Sequence, residues 1–335
     1  MKFRDKIFNE NVFEKYLRTL PSTKENSLIK NGLFTVVNKY KSKMSEQAGG
    51  YFVTEPIKGR IGGDPVNYDG QTDIGEGAER PTYKQTKICY GRANIWGEYD
   101  FASEVTGENF MAEAQEVKEY WDGERQKTVL SILKGIFSMT GGVNEQFVTS
   151  HTFEVEGNLE ADSLNRASQK ALGDKKQGLD IMFTHSAVST NLEGLNLINF
   201  LKYTDADGIE RDLTIGTFNG KLVIVDDDMP AEDADGTTVY TSYIFKKGFF
   251  EYEDLGVVKA IELVRDAKKN GGKNEMISRI REMIVPYLIS YKDTTKVSPM
   301  NEDFEKGANW ELVNDGNGKY VEPKLIPVVR VISRG

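Results

Sequence analysis

The stretch GENFMAEAQEVKEYWDGERQKTVLSILKGIFSMTG, residues 107–141, decides the fold of this 335-residue chain. Its apolar residues recur mainly at steps of three and four, which predicts an α-helix with one buried face. Thr106 is the expected N-cap, and Gly141-Gly142 is the expected end of the helix. Some 30 residues at ~1.5 Å per residue make a rod of about 45 Å. We expect Trp121 to lie on the buried face of this helix.

The preceding segment, residues 49–92, has a different composition, with glycines and prolines spread through a polar stretch. Its two ends, Tyr51-Phe-Val-Thr and Thr82-Tyr-Lys-Gln-Thr-Lys-Ile-Cys-Tyr, alternate as β-strands do. Residues 52–86 hold six glycines and three prolines, too many for a compact core of their own. We predict a hairpin arm of ~15 residues per side, about 50 Å long at ~3.3 Å per residue. An isolated hairpin is marginal in water, so the arm needs a partner; a floppy surface loop is the alternative.

The chain beyond the long helix has a mixed pattern, typical of an α+β protein. Two further helices are predicted, at 159–172 and from Leu192 to Leu201, and residues 231–238 are interpreted as a polar loop. Short buried strands are predicted at 180–184 and 221–225, and another strand at 239–245. Residues 257–293 are predicted to form strands broken at Gly271-Gly272, and the tail is expected to turn at Asn314–Gly318.

The composition excludes several classes of protein. Hydrophobic residues make up 39% and charged residues 28%, which is enough apolar material for a core and argues against disorder. No run approaches the ~20 apolar residues of a membrane helix, the N-terminus lacks a signal-peptide pattern, and the single cysteine, Cys89, fits a reducing compartment. The net charge is −9, but residues 1–46 carry ten Lys/Arg against five Asp/Glu, so a basic leading segment precedes an acidic body.

The common catalytic signatures are missing from the sequence. It has no phosphate-binding loop, no dinucleotide fingerprint, no G-x-S-x-G elbow, no H-E-x-x-H and no C-x-x-C. His185-Ser186 are adjacent, and we interpret them as a polar pair at a strand-to-helix junction with Ser186 or Thr184 as the cap, not as a nucleophile and its base. His151 lies in an alternating run and is interpreted as a strand-surface residue.

The acidic stretch from Asp226 to Asp235 is the strongest candidate for a site. Carboxylates packed this densely suit Mg²⁺, Ca²⁺ or a D-x-D nucleotide-sugar site, although the spacing does not fit an EF-hand. A solvated acidic loop after a buried strand explains the same pattern without a ligand. We expect Asp226–Asp228 to form a turn, and we assign no catalytic, cofactor-binding or metal-binding residue.

Several segments, taken in order, resemble the major capsid protein of tailed bacteriophages with the HK97-type fold. The first is Val105-Thr-Gly-Glu-Asn-Phe-Met-Ala-Glu-Ala with the long helix that follows, which resembles the spine helix of the family. The second pairs Phe183-Thr-His-Ser-Ala-Val-Ser-Thr-Asn-Leu with Gly220-Lys-Leu-Val-Ile-Val-Asp-Asp-Asp-Met-Pro230. The third combines Ser298-Pro-Met-Asn, Asn309-Trp-Glu-Leu-Val and Leu325-Ile-Pro-Val-Val-Arg-Val. The resemblance covers roughly residues 50–335.

The resemblance implies an α+β architecture of an N-terminal arm, an extended loop, a peripheral domain with the spine helix, and an inserted axial domain. The expected boundaries are 1–48 for the N-terminal arm, 49–92 for the extended loop, 93–142 and 256–335 for the peripheral domain, and 143–255 for the axial domain. The acidic turn at Asp226–Asp228 is then expected near a capsomer symmetry axis. No long N-terminal scaffolding region is present, so scaffolding is expected to be separate, short or already removed. The family's Lys–Asn crosslink is not assigned to any residues.

The function implied is structural rather than enzymatic. Many copies would form pentamers and hexamers of an icosahedral head around double-stranded DNA, with no cofactor, and the extended loop would reach over an adjacent subunit. Scaffolding and portal proteins are the further partners expected, no membrane is involved, and the protein would be assembled in the host cytoplasm and reside in the virion. The alternatives are an encapsulin-like bacterial nanocompartment shell and, from another class, a carboxylate-dependent metal enzyme using the acidic stretch.

Overall fold

A computed structural model describes residues 32–46, 50–71, 73, 79–100, 113–204, 210–234 and 236–334. Most of the basic N-terminal arm lies outside the described residues, as do Thr106, the first turns expected of the long helix, and Asp235. The described helices are α1 (Tyr40–Glu46), α2 (Glu113–Ile136), α3 (Gly142–His151), α4 (Ser163–Leu172), α5 (Ser186–Gly194) and α6 (Asn301–Phe304).

Seventeen strands are described between and around these helices, which makes the protein α+β as predicted. In chain order they are β1 (Phe34–Val36), β2 (Phe52–Lys58), β3 (Thr82–Ile88), β4 (Tyr90–Tyr99), β5 (Thr152–Asn158), β6 (Ile181–Thr184), β7 (Asn199–Thr204), β8 (Glu210–Phe218), β9 (Lys221–Val225), β10 (Ala231–Ala234), β11 (Thr237–Phe245), β12 (Phe250–Asp254), β13 (Ile261–Asp266), β14 (Lys273–Pro286), β15 (Ile289–Tyr291), β16 (Trp310–Leu312) and β17 (Val328–Arg334).

The long helix α2 has the buried stripe that its apolar spacing predicts. Trp121 is buried, and its indole Nε1 donates to Ser278 Oγ at 2.8 Å, which confirms its predicted position. Val117 and Trp121 pack on β13 and β14, whereas Val129 and the buried apolar residues that follow it on α2 belong to the largest core cluster. The helix ends at Ile136, and the predicted stop at Gly141-Gly142 is wrong, because Gly141 is the N-cap of α3 and Gly142 is its first residue.

A five-stranded sheet supports α2. Its central strand β14 is 14 residues long and pairs along one edge with β4, from Lys273↔Tyr99 to Glu282↔Tyr90. Along its other edge β14 pairs first with β13 and then with β12, and β1 adds in parallel to β12. One face of the sheet therefore packs on the helix, and the N-terminal strand is attached at the outer edge.

The second sheet has eight strands in the order β5-β17-β11-β6-β9-β8-β7, with β10 paired to β11. Its core side is apolar and includes the completely buried Ile244, Val329 and Val331. The C-terminal strand β17 lies inside this sheet, antiparallel to β11 and parallel to β5. Strands β13 and β17 therefore belong to different sheets, although both lie within 256–335, the second segment of the predicted peripheral domain.

Two local predictions for the second sheet are wrong. The sequence predicts a helix from Leu192 to Leu201, but helix α5 runs from Ser186 to Gly194. Two residues after its end, Asn196 takes a left-handed conformation with φ 54°. Asn tolerates that conformation, and the chain then turns into β7. The predicted polar loop at 231–238 contains β10, an acidic edge strand of four residues, too short to show an apolar alternation.

The remaining predictions of elements agree with the structure. Strands β6, β9 and β11 lie where the sequence places them, and residues 257–293 hold β13, β14 and β15. Helix α4 ends at Leu172 as predicted but begins at Ser163, four residues later than predicted. Among the described residues, no helix has the length and apolar character needed to cross a membrane.

Candidate assembly arm and its anchor

The two ends of residues 52–86 form a regular antiparallel hairpin, as their alternation predicts. Strands β2 and β3 pair without a break from Phe52↔Ile88 to Lys58↔Thr82. Side chains alternate across a strand, so one face of the hairpin base points towards the rest of the subunit, which we call the body. Val53, Gln85 and Lys87 lie on that face and are buried.

The outer part of the hairpin has a different character. At Gly59 the two sides still touch, because Gly59 N donates to Pro81 O at 2.8 Å and Arg80 Nε donates to Gly59 O at 2.6 Å. A Cβ at Gly59 would lie 2.7 Å from the Pro81 ring and 2.8 Å from Tyr83, so only glycine fits without movement. From Arg60 to Gln71 every residue is exposed.

This exposed stretch, which we call the arm tip (residues 60–71), carries three large apolar side chains. Ile61 is 82% exposed, Val66 is 52% exposed and Tyr68 is 90% exposed. None of residues 60–71 belongs to a helix or strand. Apolar residues concentrated on a projecting segment are typical of a surface that contacts another molecule.

The base of the hairpin is attached to the body through β3. Gln85 Nε2 donates to the carbonyl oxygens of Pro286 and Ile289, both at 3.0 Å. Lys84 N donates to Asn314 O at 2.8 Å. These bonds satisfy backbone carbonyls at the bend between β14 and β15 and fix where the hairpin leaves the body.

A set of charged and polar side chains joins the inner face of this base to α1 and β12. We call it the anchor cluster, and its members are Lys39, Tyr40, Lys43, Glu55, Lys87 and Glu251. The Lys87 ammonium is 2.6 Å from Glu55 Oε2 and 3.3 Å from Glu251 Oε2, and it also donates to Tyr40 OH at 2.5 Å.

Residues at the start of α1 complete the anchor cluster. Lys43 pairs with Glu55, the Tyr40 hydroxyl donates to Glu251, and Lys39 Nζ lies 3.0 Å from Glu251 Oε1. Lys87 is only 4% exposed, so its buried charge needs an opposite charge beside it, and Glu55 and Glu251 both lie within ion-pair distance.

The anchor cluster shifts the pKa values of Glu55, Glu251 and Tyr40. Burial alone raises the pKa of Glu55, but hydrogen bonds from Lys43 and Lys87 outweigh it and lower the pKa to about 2. The pKa of Glu251 is also lowered, because hydrogen bonds from Tyr40 and Lys39 overcome its burial. Burial, together with the hydrogen bond to Glu251, raises the pKa of Tyr40 far above its ordinary value. Both carboxylates are therefore ionised at neutral pH.

A second polar network lies under the spine helix. Glu282 on β14 is almost completely buried and accepts from Arg125 Nη2 at 2.6 Å and from Tyr252 OH at 2.9 Å. Its other oxygen accepts from Tyr90 OH at 3.1 Å, and Arg125 Nη1 also reaches Asp122 Oδ1 at 2.5 Å. Burial lowers the pKa of Arg125, but the charge of Glu282 outweighs it and raises that pKa. This network connects α2 to three strands of the sheet.

Asp226–Asp228 form a turn, as predicted, and Asp228 contacts the spine helix. Asp228 N donates to Asp226 Oδ1 at 2.9 Å, and Gln126 Nε2 donates to Asp228 Oδ2 at 3.2 Å. Asp227 lies near His185, with 3.8 Å between Oδ1 and Nε2. Within the described residues, no three His, Cys, Asp or Glu side chains come together as a metal site would require. The position of this turn relative to a capsomer axis stays a prediction.

Both histidines have structural contacts. His185 is at the predicted strand-to-helix junction but is itself the N-cap, with Nδ1 accepting from Ala187 N at 3.1 Å, so the assignment of the cap to Ser186 or Thr184 is wrong. His151 ends helix α3 and is completely buried, so its interpretation as a strand-surface residue is wrong. Its burial lowers its pKa to about 4 and keeps the ring neutral.

Sequence reasoning missed the residues that attach the hairpin. Gln85 and Lys87 stand at polar positions of an alternating strand, and such positions ordinarily face water. Glu282 and Arg125 are far apart in sequence, so no local pattern connects them. One signal was present: Glu55, Gln85 and Lys87 share the parity of Val53 across the hairpin register and therefore face the same side.

Comparison with known proteins identifies a relative of similar length. The chain is 28% identical over 334 residues to the major capsid protein of Bacillus phage SPP1, covering 98% of this chain and 97% of that protein. No protein-family model matches the chain.

Solved phage capsids have a similar structure. The capsid of cyanophage Pam1 matches with a TM-score of 0.54 and 9% identity over 90% of this chain and 88% of that one. The capsid of Ralstonia phage GP4 matches with a TM-score of 0.54 and 10% identity, over 94% and 89%. The Helicobacter pylori bacteriophage KHP30 capsid gives 0.52 and 12%, over 86% and 85%. At these identities the matches establish a shared fold.

Proposed function

We propose that the chain is a structural major capsid protein of a tailed phage with the HK97-type fold and that its copies close into an icosahedral shell of pentamers and hexamers. The observation that carries this proposal is the hairpin arm. Its base is bonded to the body, whereas its tip exposes Ile61, Val66 and Tyr68 to water. Such an arm is built to cover a neighbouring copy rather than its own subunit.

The proposed division of the subunit follows the two sheets. Helix α2 and the five-stranded sheet form the peripheral domain, and the eight-stranded sheet with α4 and α5 forms the axial domain. The C-terminal strand β17 belongs with the axial domain in this proposal, because it pairs with β5 and β11. The extended loop comprises the hairpin, from β2 to β3.

The proposed partners follow from the charge distribution. The leading segment has a net charge of +5, while the remainder of the chain is strongly acidic. We place the basic segment at the inner surface or between subunits, where it would meet packaged double-stranded DNA without sequence preference. Separate scaffolding and portal proteins and assembly in the host cytoplasm are part of the same proposal, with the virion as the final location.

Limited proteolysis of the full chain tests the role of the arm. Trypsin should cut free subunits quickly at Lys58 and Arg60, which are exposed on the outgoing side of the hairpin. Assembled shells, identified by negative-stain microscopy, should resist cleavage there, because a neighbouring copy covers the arm. Lys175 and Lys176 belong to a 3₁₀ turn outside the arm and provide reference sites in the same digest.

Two results would contradict the proposal. One is equal cleavage at Lys58 and Arg60 in free and assembled protein, which would mean that the arm stays in solvent. The other is normal assembly after deletion of residues 60–80. Shells of a narrow size class with a bound enzyme would instead indicate a nanocompartment.

A further inference from the structure

We propose that residues 39–43 lock the hairpin arm in position, so that the placement of the N-terminal segment controls the angle at which the arm leaves the subunit. The lock is the anchor cluster, in which Lys39, Tyr40 and Lys43 add ion pairs and a hydrogen bond to the two carboxylates that Lys87 alone would otherwise hold. Its consequence for assembly rests on the proposed function, but the lock acts within one subunit and is testable there.

The charge balance at the arm base depends on these residues. Without residues 39–43, the single ammonium of Lys87 would face the carboxylates of Glu55 and Glu251, at 2.6 Å and 3.3 Å. Glu55 belongs to the arm and Glu251 to the body, so this one ammonium would be shared between carboxylates on the two sides of the joint. Lys43 neutralises Glu55, and Lys39 neutralises Glu251. The N-terminal residues therefore add attraction to a joint that Lys87 alone would hold less firmly.

The lock is itself held at a defined place. Glu253 on β12 accepts from the backbone amides of Lys39 at 2.9 Å, Tyr40 at 2.7 Å and Lys41 at 2.9 Å, which caps the first turn of α1. Tyr40 and Met44 also pack in one apolar cluster with Val53 of the arm and Met283 of the sheet. The charged side chains are therefore presented from a fixed backbone, and the arm and α1 share one small core.

The lock is also displaceable. Lys39 and Lys43 are 40% and 45% exposed at their side chains, and α1 is only seven residues long. By contrast, Gln85 bonds the returning strand β3 to the backbone carbonyls of Pro286 and Ile289, which do not belong to α1. Removing residues 39–43 from their place should therefore loosen the arm without detaching it, and the joint would pivot about β3.

Hydrogen–deuterium exchange of the full chain as free subunits tests this inference. In the double variant Lys39→Ala/Lys43→Ala, the amides of 52–58 and 82–88 should exchange about threefold faster or more, as expected when ion pairs worth a few tenths of a kcal/mol each are lost. The matched control is Lys41→Ala, which removes an exposed lysine from the same helix whose ammonium lies beside Gly256 instead of the cluster. Its hairpin amides should exchange at the wild-type rate.

A double-mutant cycle between Lys43→Ala and Glu55→Gln decides whether the effect passes through the joint. If the lock operates, the hairpin amides of the combined variant should exchange clearly more slowly than the product of the two single effects predicts. Multiplicative effects would overturn the inference, as would equal hairpin exchange in wild type and Lys39→Ala/Lys43→Ala. The amides of β14 serve as the internal reference for an intact subunit.

The same variants separate this inference from the proposed function. Faster hairpin exchange in variants that still assemble would support the lock and leave the shell proposal standing. Failure of wild-type protein to form shells, with the exchange result unchanged, would remove the assembly role alone.

Discussion

The end of the spine helix and the tip of the arm both depend on glycine, and they use it in opposite ways. Gly135 in α2 lies so close to the Phe304 carbonyl and the Trp310 indole that a Cβ would collide with both. Gly62 and Gly70 in the arm tip have open space around them. The first region is close-packed within the subunit, and the second is exposed to solvent.

This contrast separates what stabilises the subunit from what is available for assembly. Around Gly135, the Trp310 Nε1 donates to Phe304 O at 2.6 Å, and Gly307 approaches the Ser138 carbonyl equally closely. Substitutions there act on folding, because interiors are packed at crystal-like density. Substitutions in the arm tip should act on contacts between copies and hardly at all on folding.

The largest expected effect tests the packing of α2 on β13 and β14. Trp121→Ala should lower the free energy of unfolding by about 3–5 kcal/mol, because it empties a packed site and leaves Ser278 Oγ without its donor. Chemical denaturation of the purified subunit measures this. A midpoint equal to that of wild type would refute the position of the helix against β13 and β14.

The next largest effect compares two glycines of the same helix. Gly135→Ala should cost about 1–3 kcal/mol, since overpacking outweighs the gain in helix propensity. Gly123→Ala is the matched control, because nothing lies within 4 Å of its Cβ position. That variant should raise stability by up to ~1 kcal/mol. A shift of the denaturation midpoint in the same direction in both variants would contradict the predicted difference between the two glycines.

A smaller effect is expected at the arm base in acid. Because the folded pKa of Glu55 is lowered from 4.5 to about 2, its contribution is complete above pH 4.5 and is lost as the pH falls towards 2. The loss should be on the order of 1 kcal/mol, since part of the cluster is exposed to solvent. Hairpin amide exchange, corrected for its intrinsic pH dependence, should rise across this window in wild type. Glu55→Gln should flatten the rise, and an unchanged slope would contradict the assignment.

The smallest effect on folding belongs to the arm tip. Replacing Ile61, Val66 and Tyr68 together by serine should change the free energy of unfolding by no more than about 0.5 kcal/mol, because all three are exposed. The same variant should fail to assemble or assemble slowly, as microscopy and sedimentation would show. Assembly at the wild-type rate would mean that these side chains do not make the contact.

The sequence by itself predicts the elements whose signal is local. The spine helix, the paired strands of the arm and the turn at Asp226–Asp228 follow from spacing and composition over 5 to 30 residues. The resemblance to phage capsid proteins also rests on such short segments. Where competing local signals existed, as at His151 and at the two glycines after α2, the sequence was interpreted wrongly.

Only the tertiary structure decides which distant residues meet. Arg125 and Glu282, or Lys87 and Glu251, are brought together by sheet pairing between strands far apart in the chain. Gly135 looks like a weak point in a helix until Phe304 and Trp310 are placed against it. The C-terminal strand likewise joins the eight-stranded sheet through β5 and β11. Local periodicity records which face of an element is buried, but the partner of that face depends on packing over the whole chain.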